Sequence, residues 1–250
     1  MTKDQIYGQT ANKVRPSEVT AASGSKFIGA TFLYMTIALV ITFGVVAGLG
    51  AVLRYAIYHE SAFELQTFLY FFIGALILYI PVMIWVHVAA CRNGKTVGPA
   101  FFTYSIVMGV LLSPIALYDF WILVISFGST CLAFATMALL AWTTKKNLSS
   151  LAVVGFGLLM GALILSLVNI LFYLISPGTY LILYALVSVL FFVAIILLTI
   201  VDLKRVKDIA TSGLGTKNMA MLCALNLYVD FIYIFIRILR IVVIIFANRR

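Results

Sequence analysis

Seven times along this chain an apolar run long enough to cross a lipid bilayer is broken by a short polar interruption. The runs are Phe27 to Leu53, then about 65–91, 97–118, 120–142, 148–175, 180–201 and 219–247. A helix needs about 20 apolar residues to span the hydrocarbon, and in lipid a single spanning segment can satisfy its backbone only as a helix. That restricts the fold to an all-α membrane protein with seven transmembrane helices. Of the 250 residues, 64% are hydrophobic and 10% charged, against about 45–50% and 25% in an ordinary soluble domain. Residues 1–26 are polar and mildly basic, and read as a mobile tail ahead of a domain covering 27–250.

The formal charge of +9 is spread over connecting segments instead of one face. It therefore points to membrane topology and away from nucleic acid. The N-terminal tail is basic, as are Arg92 with Lys95, Lys145 with Lys146, and the stretch holding Lys204, Arg205, Lys207 and Lys217; the alternate turns carry little positive charge. The expected arrangement is an integral, multi-pass protein of a bacterial plasma membrane or a eukaryotic internal membrane, with a cytoplasmic N-terminus. Seven crossings place the C-terminus outside, which Arg249 and Arg250 oppose, so a re-entrant last segment is the alternative. Pro81 and Pro114 sit inside runs and should disturb their helices. Gly44 with Gly48 and Gly157 with Gly161 are GxxxG pairs, which predict close helix contacts.

Chemistry concentrates in the last run, NLYVDFIYIFIRILR, Asn226 to Arg240. At about 100° per residue, Asn226, Asp230 and Arg237 fall within roughly 40° of one another. A lipid-facing Asp costs at least about 2.5–3.5 kcal/mol, so this stripe should face protein or water, with the other helices around it. Most of the other acids lie in tails or turns, and Asp119 reads as a turn former beside Tyr118. Asp202 ends the sixth run, either paired locally with Arg205 or, approaching from the neighbouring span, meeting Asp230. Two carboxylates in one low-dielectric site cannot both ionise cheaply and titrate as a unit, which is a physical route to a pH switch. Arg92, at the end of the second run, is the natural counter-charge, and His87 inside that run is a competing pH sensor. Cys91, Cys131 and Cys223 are too scattered for a disulfide framework or a zinc site, and His59 and His87 are too few for a metal cluster.

Several segments together resemble the Bax inhibitor-1-like family of transmembrane Bax inhibitor motif proteins. They are LYVDFIYIF (227–235), VDLKRVK (201–207), GST (128–130), KKNLS (145–149) and RNGKTVG (92–98). The resemblance covers nearly everything after residue 27. It implies a central last helix surrounded by the other six. It also implies a pH-regulated calcium leak with Asp202 and Asp230 as sensor and Arg92 as latch. Two departures stand out. The loop between the paired acids looks long, and the middle of the second run, Tyr79–Pro81–Val82, lacks an acid that could bind an ion.

On this reading the partners are the bilayer, protons and calcium ions, with Asp202 and Asp230 a weak calcium site. No cofactor and no enzymatic reaction are expected. Gly94–Lys95–Thr96 ends like a P-loop but lacks the preceding glycine, since Ala89 stands there. One alternative is a non-conducting regulatory protein that binds other membrane proteins in stress, cell-death or protease control. A remoter one is an intramembrane aspartyl protease, although Leu198–Val201 before Asp202 does not supply the GxGD motif.

Overall fold

A computed structural model describes residues 16–60, 62–91, 97–144, 148–175, 177–213 and 215–247. Each apolar run becomes a helix: α1 (Pro16–Tyr58), α2 (Ala62–Cys91), α3 (Val97–Leu112), α4 (Phe120–Thr143), α5 (Ser149–Ile175), α6 (Pro177–Ser212) and α7 (Lys217–Ala247). The protein is an all-α membrane protein. Six of the helices are long and apolar enough to cross a membrane by length and composition alone. The seventh, α7, carries Asp230, Arg237 and Arg240, and it is the one drawn into the centre. Leu227, Tyr228, Ile232 and Ile234 on α7 are completely covered. It packs against α1, α2, α3, α4 and α6, while α5 packs chiefly on α6. At 31 residues α7 is one continuous helix, about 46 Å long. The outward side chains of α2, such as Ile77 and Ile80, are apolar and exposed, as a surface solvated by lipid requires.

Two helices run past the ends that hydropathy suggested. α1 begins at Pro16, so residues 16–26 continue the first helix and are not tail; residues 1–15 lie outside the described residues. The reason is packing: a Cβ built on Gly24 would fall 2.6 Å from Ala210 O, so α1 is pressed against α6 there. α6 continues to Ser212 through what reads in sequence as a basic loop. Its lysines have helical work to do. Lys204 Nζ donates to Thr144 O at 3.2 Å and Lys207 Nζ to Trp142 O at 2.6 Å. Both cations thus serve the unpaired carbonyls at the C-terminus of α4.

Pro114 acts as expected. α3 stops at Leu112 and tightens into a 3₁₀ turn, Ser113–Leu117. Proline has no N–H for the carbonyl four residues back, and Ser113 Oγ supplies the missing donor to Val110 O at 2.6 Å. The end of this turn is held by Arg54 of α1, whose Nε donates to Ala116 O at 2.9 Å.

The GxxxG pairs are not contact points. Gly44, Gly48, Gly157 and Gly161 all face open space. The close approaches use other glycines. A Cβ on Gly109 would lie 2.7 Å from Val45 Cβ and 2.8 Å from Thr42 O, and one on Gly50 would strike Ala116 Cβ. Next to Gly109, Tyr228 of α7 reaches Thr42 of α1, with hydroxyls 2.6 Å apart. Thr42 Oγ1 also lies 3.0 Å from Ser105 O of α3. One buried hydroxyl pair therefore ties three helices at the centre of the bundle.

Candidate functional site

α6 and α7 run antiparallel through a short connection, which sets the depth of their acids. Asp202 lies ten residues before the end of α6 and Asp230 thirteen after the start of α7. At 1.5 Å per residue those are about 15 and 20 Å from the same end. Both line a single cavity of about 560 Å³, together with His87 of α2, Tyr104 of α3, Phe156 of α5 and Asn226 of α7. The carboxyls are close enough for Asp230 to feel the charge of Asp202. The fold brings both acids to the lining of this one cavity.

Their surroundings differ. Asp202 Oδ1 lies 3.4 Å from Arg205 Nη1, one turn along α6, and the Arg205 side chain is 59% exposed. Asp230 is enclosed: its Oδ2 is buried without a hydrogen-bond partner among the described residues. The Thr199 hydroxyl faces it but donates to Ile195 O at 2.8 Å. Such an oxygen is costly to leave unmatched in low dielectric, and a proton, a water or a cation would each match it.

Tyr104 joins the cavity to a group of phenols. Tyr104 and Tyr228 are buried and their rings meet edge to face at 6.2 Å. The Tyr104 hydroxyl is 3.5 Å from that of Tyr79, and Tyr233 lies within the field of both Tyr79 and Asp230. The opposite face of α7 is aromatic. Phe231 packs on Phe127 and Phe134, and Phe235 on Phe43, with centroids 5.3–5.8 Å apart. The segment 227–235 thus divides its residues between the cavity that holds the two acids and a cluster of aromatic rings.

Of the other residues singled out from sequence, His87 and Asn226 line the cavity, and His87 Nδ1 lies 2.9 Å from Met83 O. Arg237 does not join them. It shares the helical stripe, but its guanidinium lies over the Phe191 ring of α6, 5.7 Å from the centroid. Arg92 lies outside the described residues; among those described, the cation beside Asp202 is Arg205. Sequence reasoning missed Tyr104 and Thr199. An apolar run containing a lone hydroxyl gives no hint of which way it faces.

As a resident metal site the cavity is thin. No cluster of three or more His, Cys, Asp or Glu side chains able to hold a metal occurs among the described residues. Two carboxylates and the Asn226 amide offer fewer oxygens than the six to eight of a tight calcium site.

Comparison with known proteins agrees over most of the length. Residues 24–249 match the family described as "Inhibitor of apoptosis-promoting Bax1". An uncharacterized membrane protein of Streptococcus pyogenes serotype M1 is 32% identical over 177 residues, 70% of this chain and 75% of its own. The inner membrane protein YbhL of Escherichia coli K12 is 34% identical over 163 residues, 60% of this chain and 62% of its own. An uncharacterized protein of Lactococcus lactis, YrjE, is 29% identical over 186 residues, 74% of this chain and 78% of its own. No solved structure matches the chain.

Proposed function

The chain belongs to the Inhibitor of apoptosis-promoting Bax1 family, and from that premise we propose that it is a passive, pH-sensitive calcium leak, not an enzyme. The observation that carries this reading is the buried, unmatched Asp230 oxygen in a cavity shared with Asp202. A conducting site must bind its ion weakly enough to release it. Two carboxylates, one amide oxygen and water supply a coordination shell of that kind for calcium as cargo. Protonating either acid removes charge from the ion's path, and protonating Asp202 also weakens its pairing with Arg205, so flux follows pH. On this reading the end of the bundle bearing Lys204, Arg205 and Lys207 faces the cytoplasm, together with the N-terminus. The packed, buried rings of Tyr104 and Tyr228 beside the cavity act as the closed gate.

The test is calcium entry into dye-loaded proteoliposomes across mildly acidic to mildly basic pH. Wild-type protein should conduct with a pH-dependent rate, and Asp202→Asn and Asp230→Asn should flatten that dependence. Flux identical in all three proteins at every pH rules the reading out. A folded protein that never conducts favours the second reading, a non-conducting regulator of other membrane proteins, to which the family's description points.

A further inference from the structure

The half of α7 beyond the cavity carries two charges that the leak does not use. Arg237 and Arg240 are three residues apart and so share a face of the helix. Each guanidinium lies 5.7 Å from the centroid of an aromatic ring of α6, Arg237 over Phe191 and Arg240 over Tyr184. Arg240 Nη1 also donates to the Tyr184 hydroxyl. A guanidinium held over a ring by its charge still has N–H donors to offer to other partners, five in all.

Among the described residues the Tyr184 hydroxyl takes one of those donors, and it carries no charge to balance the guanidinium. Among the described residues, no carboxylate stands within ion-pair distance of either arginine; the ion pairs there are Lys204–Asp208 and Arg205–Asp202. The two cations instead lie within each other's field. Depth says what can answer them. α7 is 31 residues long, about 46 Å against about 30 Å of hydrocarbon, so about 8 Å of helix projects at each end if it is centred. Arg240 is seven residues, about 10 Å, from the end of α7. That places it near the boundary between acyl chains and headgroups, where long basic side chains reach outward to the interface. Arg240 and Tyr184 are both exposed on the lipid-facing surface.

We propose that Arg237 and Arg240, braced on Phe191 and Tyr184, form a docking site for the phosphate of an anionic membrane lipid, in the leaflet opposite the basic end of the bundle. A phosphodiester offers paired oxygens to the forked donors. The uncompensated double charge selects a headgroup with net negative charge over a zwitterionic one. The site does not depend on calcium conduction.

Native mass spectrometry of the full-length protein in detergent tests this, with phosphatidylglycerol, phosphatidylcholine and inorganic phosphate as probes. Wild type should retain phosphatidylglycerol in preference to phosphatidylcholine. Arg237→Gln with Arg240→Gln should weaken retention about tenfold to thirtyfold, as expected for two basic contacts. The single change Arg240→Gln, at an exposed residue, should fold normally and lose retention severalfold, and Arg240→Lys, which keeps the charge but not the fork, should lose part of it. Wild-type retention in Arg240→Gln overturns the proposal. So does full displacement of the lipid by millimolar inorganic phosphate, which would make the site one for free anions.

Discussion

Replacing Gly109 by alanine adds one methyl group where α3 crosses α1. The new Cβ would lie 2.7 Å from Val45 Cβ and 2.8 Å from Thr42 O. Carbon atoms rest at about 3.5–4.0 Å, so the helices must separate by about 1 Å. Overpacking of this size costs about 1–3 kcal/mol, offset by up to about 1 kcal/mol of helix propensity gained over glycine. Separation also pulls Thr42 away from Tyr228 and adds part of a hydrogen bond, about 0.6 kcal/mol in a membrane. The net is a loss of about 1–2.5 kcal/mol. Gly44→Ala, on the same α1 but facing open space, carries the propensity gain alone and should be neutral or slightly stabilising. Thermal unfolding in one detergent, followed by loss of monodisperse protein, compares the two. At about 2–4 °C per kcal/mol for a chain of this size, Gly109→Ala should melt about 2–10 °C lower and Gly44→Ala no lower than wild type. Equal melting of the two variants would refute the helix contacts assigned to Gly109.

Two further outcomes follow from the central hydroxyls and the cavity mouth. Tyr228→Phe should cost about 0.5–1.5 kcal/mol, because Thr42 keeps an acceptor in Ala38 O at 2.9 Å; Tyr228→Ala removes a completely buried ring and should cost about 3–5 kcal/mol, read by the same melting assay. Arg205→Gln should leave the melting temperature nearly unchanged, since its pairing with Asp202 is solvent-screened. It should nevertheless shift the pH profile of calcium flux more than Arg92→Gln or His87→Gln; a profile moved only by Arg92→Gln would return the latch to that residue, and one lost only in His87→Gln would make the histidine the sensor.

The seven helices were legible because lipid solvation imposes a long apolar run on each, a demand visible in every segment from Phe27 onward. Their ends were not. Hydropathy registers only the part in contact with lipid, whereas α1 and α6 continue beyond it for reasons of local contact. Gly24 lies on Ala210, and Lys204 and Lys207 cap α4. The acid pair was legible from cost alone: a carboxylate in the middle of an apolar helix has few places to go, and two on adjacent helices have fewer. Arg237 shows the limit of that logic. The helical wheel places it with Asp230, but it sits seven residues further along, beyond the cavity, with Phe191 at hand. The glycine spacing failed for a related reason. GxxxG states that two small residues share a face, and says nothing of whether that face turns toward a helix or toward lipid.

The central position of α7 also bears on how the molecule is put together. α7 follows in the chain the five helices it packs against. On its own in lipid it would expose Asp230, near the bilayer centre, at about 2.5–3.5 kcal/mol. The earlier helices must therefore leave a seam into which the last one slides as it leaves the ribosome. A nascent chain halted after Ser212 should be caught in that half-built form, with the seam still open to membrane chaperones and proteases.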